Sequence, residues 1–351
     1  MIIANKYQRC MILSGGGFRF GYFLGMHAAL AARQIAPDIL LGTCGGAIAA
    51  AIIQSLPNDI ERKQWIRSPQ MHQYWCSLKT NSRSRLTRTI WNVAKRRVLG
   101  SNAKYIPDLF QDYLFEIDQY VPLPQLKTNP NDLANRPAVA VLAGQLLYVE
   151  SEVGLLRQQR KLFKEIVFCD QRSKVLLIGQ TSAVSSPSNA VDPQVLLNTQ
   201  MPMDEAARAS ISDMFYFRCL TYAGDSFVGG AINLVPIEIA RALAHQIIVE
   251  KKDDYDNHLA IPAIKAVFGM DANQRLAQVH GQAADCWIDT SDMTSALKQD
   301  SFDKKLNWHD NKIELAAPKS YEAFTEMIDA QWQYGYDRAT QAILKSAQTL
   351  V

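Results

Sequence analysis

The stretch Leu40–Ile52, LLGTCGGAIAAAI, constrains the fold more than any other. A short apolar run, DILLGT, stops at Gly42-Thr43-Cys44-Gly45-Gly46 and passes without a spacer into an alanine-rich helical pattern. A strand that turns directly into a helix imposes strained backbone angles on the turn residue and leaves no room beside it, so small neighbours are needed. Gly42, Gly45 and Gly46 meet that demand. The residue at the turn then stands clear of the sheet, with the free N–H groups and positive end of the next helix aimed at its side chain. Here that residue is Cys44, a candidate nucleophile for acyl chemistry.

The pattern has a precedent earlier in the chain. CMILSGG reads as a buried strand running into a glycine turn, and YFLGMHAALAARQ follows with helical periodicity. Strand, glycine turn and helix, twice over, predict a mainly parallel sheet with crossover helices. Further strands are expected at AVAVLAG, EIVFC, KVLLIGQ, IIVEKK and CWIDTS. Helices are expected at MDEAARAS and EIARALAHQ, with SAVSSPSNAVDPQ as a polar loop. An amphipathic helix is expected over about 319–348. From about 60 to 117 the pattern is mostly helical with no clear strand. The economical reading is one α/β domain, 1–351, with a helical basic insertion.

Composition narrows the functional classes. With 48% hydrophobic and 20% charged residues among 351, the chain suits a folded globular protein. Six cysteines lie scattered without a C-x-x-C pair, which gives no sign of a zinc site or a disulfide framework; no metal and no cofactor is expected. No apolar run reaches the roughly 18 residues of a membrane span and the N-terminal residues lack a leader pattern, so the expectation is a cytoplasmic protein. Eleven Lys or Arg and no Asp or Glu fall between Arg62 and Pro107, although the whole chain is only +3. Within that segment Leu86, Ile90 and Val93 share one helical face, while Arg85, Arg88, Trp91, Lys95, Arg96 and Arg97 surround it. Such a helix suits peripheral contact with an anionic membrane, or simply a solvated basic face. No nucleic-acid recognition motif accompanies it.

Backbone donors for an oxyanion hole fit the SGGGFRFG turn, at Gly15, Gly16, Gly17 and Arg19, together with Gly45 beyond the nucleophile. Glycine turns also cradle phosphates, so each piece alone is weakly specific. In order along the chain they resemble the patatin-like phospholipases, whose pattern is G-G-G-x-R-G, then G-x-S-x-G about two dozen residues on, then D-G-G/A before a strand. GGGFRFGYFLGMHAAL, GTCGG, EAARASISDMF and SFVGGAINLVPIEIARALAHQIIVEKK match in sequence order, and the resemblance spans nearly the whole chain. It implies a three-layer α/β/α fold with a nucleophile elbow and a lipid or acyl-ester substrate.

The chain departs from that pattern once in each motif. Family members use a Ser–Asp dyad; the serine position is Cys44, and the Asp position is Val228 when anchored on Asn233 and Pro236, or Gly229 with a one-residue shift, neither of them a carboxylate. The glycine after the motif arginine is Phe20, whose bulk is expected to crowd the hole. Asp225, three residues before Val228, would face the opposite side of a strand roughly 10 Å away. His27 reads as a helix residue before it reads as a catalytic one. A thiolate can form unaided at a helix N-terminus, but losing a base also removes general acid–base help of roughly 100- to 10,000-fold. Two readings follow. In one, the chain is a lipid acyl-ester hydrolase or a cysteine-dependent acyltransferase; in the other, a catalytically inactive relative that binds lipid or regulates. The missing Asp tilts toward the second.

Overall fold

The computed structural model describes residues 5–81, 85, 87, 101–117, 120–125, 136–298, 302–307, 309, 311–318 and 320–346. The chain opens with β1 (Tyr7–Ser14), α1 (Gly21–Ala32), β2 (Ile39–Thr43) and α2 (Gly45–Ser55), the two strand–turn–helix units expected from the glycines. Two short helices, α3 (Asp59–Ile66) and α4 (Pro69–Cys76), follow, each started by a side-chain cap from Asn58 or Ser68. The two-residue strands β3 (Lys79–Thr80) and β4 (Phe115–Glu116) then pair within the segment where no strand was expected. Of the basic-face residues, Arg85 is exposed, while Arg88, Trp91, Lys95, Arg96 and Arg97 lie outside the described residues.

Next come β5 (Ala138–Leu146), β6 (Phe163–Phe168), α5 (Gln171–Leu177), β7 (Val191–Asn198), α6 (Met203–Ser210), β8 (Leu220–Tyr222) and β9 (Asp225–Val228). After them lie α7 (Ile237–Leu243), β10 (Ala244–Lys251), α8 (Ala260–Phe268), α9 (Ala272–His280), β11 (Cys286–Asp289) and α10 (Met293–Ala296). The hairpin β12 (Asp303–Asn307) and β13 (Lys312–Ala316) precedes the long α11 (Tyr321–Lys345). The KVLL of KVLLIGQ is the second half of α5, a helix where a strand was expected. Asp170 caps its start by accepting the Ser173 N–H at 2.7 Å, and a run of four apolar residues alone does not separate a buried strand from a helix.

Among the described residues the central sheet runs β11-β10-β1-β2-β5-β6-β7, with β9 and β8 added beside β5. The strands from β11 to β5 are parallel; β6 and β9 run antiparallel to β5. Its central strands are apolar on both faces, as a covered parallel sheet requires. Met11, Leu13, Leu40 and Val141 pack into one core with α1, α2, α6 and α11, and Cys10, Ile12, Leu41 and Leu142 into a second with α7, α8 and α9. This is a three-layer α/β/α arrangement. The inner stripe of α11 is Phe324, Met327, Ile328, Gln331, Trp332, Gly335, Ala339, Ala342 and Ile343, at helical spacing, and its polar side chain is Gln331.

Candidate active site

The sheet delivers Cys44 to the carboxyl end of β2, where the chain reverses into α2. Its backbone sits at φ 52°, ψ −126°, a region that costs an L-residue of order 1–3 kcal/mol and persists only when neighbours hold it. The neighbours are identifiable. The Cys44 N–H donates to Ser210 Oγ at 2.8 Å, and Ser210 Oγ donates onward to the Leu142 carbonyl at 2.7 Å. Gly46 lets α2 lie against β1, since a Cβ there would stand 1.8 Å from the Leu13 carbonyl oxygen. Gly42, buried on β2, and Gly45, at the first turn of α2, complete the elbow.

Of the five residues expected to form the oxyanion hole, two are brought to the sulfur. The backbone N–H groups of Gly17 and Gly45 pull the Cys44 thiol toward its ionised form, and the Gly17 nitrogen lies against Gly45, 2.9 Å from where a Cβ on that residue would stand. The Gly15 N–H is committed to the Thr43 carbonyl at 3.0 Å and the Arg19 N–H to the Gly16 carbonyl at 2.9 Å, so the N–H groups of Gly15 and Arg19 are spent on shaping the turn. Phe20 does not crowd the hole; its ring is fully buried in the core beside Trp75.

A carboxylate does face the nucleophile, from a position the sequence did not single out. Cys44 Sγ lies 2.9 Å from Asp213 Oδ2, the thiol donating. Asp213 follows α6 in a tight turn whose own N–H bonds the Ile211 carbonyl, and it also accepts the Ala231 N–H at 3.4 Å. Val228, the position aligned with the family's Asp, is wholly buried and turns toward β5, against Gly144. The two sites are neighbours: a Cβ on Gly229 would stand 2.2 Å from Asp213 Oδ1. The carboxylate therefore enters the region of the G-G motif from an adjacent segment. Asp225 opens β9, exposed and paired with Tyr222.

Electrostatics give the pair its chemical character. Burial raises the Asp213 carboxyl from 3.8 to about 6, against the opposing pull of the Cys44 thiol and the Ala231 N–H. Burial first, then the charge of Asp213 and its hydrogen bond, holds Cys44 well above the ordinary thiol range, with Gly45 and Gly17 pulling the other way. The sulfur is thus a thiol awaiting a base, and the helix N-terminus does not produce a thiolate unaided. Tyr255, in the connection after β10, is pushed up by burial and then by the nearby Asp213. Asn273 pins its main chain, Oδ1 accepting the Tyr255 N–H at 2.7 Å and Nδ2 donating to its carbonyl at 3.1 Å. His27 is buried against Arg62 and held down to about 3 by burial and then that guanidinium, so it stays neutral and structural. Among the described residues no group of three or more His, Cys, Asp or Glu could hold a metal, and no helix is long and apolar enough to cross a membrane.

No curated protein matches the chain. Among solved structures it is similar to the crystal structure of VipD from Legionella pneumophila, at 10% identity over 97% of this chain and 67% of that one, with a TM-score of 0.37. The family model described as patatin-like phospholipase matches residues 11–241, which hold the glycine turn, the elbow, Asp213 and Gly229. With more than half its length matched, the chain belongs to the patatin-like phospholipase family, a lipid acyl hydrolase scaffold.

Proposed function

We propose that the protein is a lipid acyl-ester hydrolase working through a Cys44–Asp213 dyad. The observation that carries this reading is the 2.9 Å contact between Cys44 Sγ and Asp213 Oδ2. The inactive reading leaned on the absence of a carboxylate at position 228, and Asp213 supplies one to the sulfur from elsewhere.

The chemistry closes on these residues. Asp213 takes the thiol proton as sulfur attacks the ester carbonyl, and the oxyanion forms against the N–H groups of Gly17 and Gly45. The carbon–oxygen bond then breaks, the departing alkoxide takes the proton from Asp213, and a thioester remains on Cys44. Asp213 next draws a proton from water as it attacks the thioester. The released thiolate recovers that proton and the acid departs.

Incubation with p-nitrophenyl butyrate, followed by intact-mass measurement and peptide mapping, tests the proposal. A butyryl adduct on the peptide carrying Cys44, with continuing nitrophenol release, is expected; an adduct confined to other residues, or nitrophenol release no faster than that of Cys44→Ala, would sink it. Because Asp213 must be ionised to accept the proton, acylation should rise with pH through a midpoint of about 6. An ordinary exposed carboxylate base would put that midpoint near 4.

A further inference from the structure

We propose that Glu250 and Gln331 are positioning residues for the Gly17 N–H: together they clamp the turn that carries this oxyanion donor. The inference rests on the hydrolase reading and adds groups that lie beyond the family match, which ends at residue 241.

The turn consists of residues 15–21, and both of its flanks are tied to one carboxylate. Ser14 Oγ donates to Glu250 Oε1 at 2.7 Å and Tyr22 OH donates to Glu250 Oε2 at 2.8 Å. Thr290 Oγ1 donates to Oε2 at 2.9 Å, and Lys252 Nζ lies 2.8 Å from Oε1. Glu250 is 2% exposed, so its charge is buried with two hydroxyls and an ammonium around it besides the Tyr22 phenol. From the opposite side α11 brings Gln331, 1% exposed, to the middle of the turn. Its Oε1 accepts the Gly21 N–H at 3.1 Å, and its Nε2 donates to the Phe18 carbonyl at 3.4 Å.

A carboxylate and a carboxamide are expensive to bury unless their hydrogen bonds are made, and a satisfied buried network is stiff. Stiffness is what an oxyanion donor needs, because it must hold its place within about 0.5 Å and cannot reorganise as charge develops. An apolar stripe on α11 would pack against α1 without Gln331. Its amide is spent instead on Phe18 and Gly21, the two residues that flank Arg19 and Phe20 within the turn.

The test compares two probes of Cys44. A long-chain alkyl trifluoromethyl ketone forms a reversible adduct: the sulfur–carbon bond forms, the carbonyl electron pair becomes an oxyanion in the hole, and the thiol proton passes to Asp213. Iodoacetamide alkylates the same sulfur, the sulfur–carbon bond forming as iodide leaves and the thiol proton passing to Asp213, and creates no oxyanion. Gln331→Met should weaken the ketone adduct, followed by fluorine NMR, roughly 10- to 100-fold, in line with loss of part of one oxyanion donor. Its alkylation rate should change less than about 3-fold. Tyr22→Phe, a gentler loosening of the Glu250 end, should move the same ratio in the same direction. An unchanged ketone affinity in both variants, or a parallel fall in both probes, would overturn the clamp alone. A wild-type protein that alkylates but takes no ketone would overturn the hydrolase reading, and the clamp with it.

Discussion

Asp213→Asn is expected to lower the rate of Cys44 acylation by roughly 100- to 10,000-fold, the usual worth of a positioned general base, and to make the protein more stable at pH 8. The two effects share one origin. In the folded protein the Asp213 carboxyl titrates at about 6 instead of 3.8, so the folded state favours its protonated form. A raised acid pKa contributes stability that is fully present below pH 4 and is lost as pH climbs through 6. At pH 8 the buried charge therefore costs up to about 3 kcal/mol, from about two units at 1.36 kcal/mol each. Asparagine keeps the shape without the charge and should recover about 1–2 kcal/mol of this, a rise of a few degrees in Tm that vanishes toward pH 4. Thermal melts at pH 4 and 8 beside p-nitrophenyl butyrate kinetics check both halves. A variant equally active, or less stable at pH 8, would contradict the assignment of Asp213 as a strained base held for function.

Gly229→Ala should remove the same activity with the opposite effect on stability. The added methyl carbon would fall 2.2 Å from Asp213 Oδ1 and 2.7 Å from the Asp213 nitrogen, so carboxylate and turn must both move. Displacing the base should cost 100-fold or more in acylation, and overpacking should cost about 1–3 kcal/mol at every pH. Equal melting temperatures and rates for Gly229→Ala and the parent would mean that Asp213 Oδ1 does not occupy this space.

Where the chemistry depends on neighbours in sequence, it was readable in the sequence. Gly42, Gly45 and Gly46 report a tight turn around Cys44 whatever surrounds them, and the continuous apolar strands report a sheet covered on both faces. Asp213 was hidden because it meets Cys44 only through tertiary closure, 169 residues away. Motif alignment directed attention to Val228, although Asp213 lay in plain view inside EAARASISDMF. Phe20 misled in the same manner: its bulk was legible, but not that the ring would turn away into the core. KVLLIGQ was misjudged because its apolar run fits either regular structure, and the cap that decides between them lies one residue upstream of its helix.

The Gly21 N–H and the Gln331 carbonyl that receives it stand 310 residues apart. At synthesis rates of about 5–20 residues per second, the ribosome finishes one partner roughly 15 to 60 s after the other. Throughout that interval the elbow's own glycines and the cysteine already exist, but the donor turn opposite them hangs without its amide. The clamp on the donor turn therefore cannot close before α11 has been made.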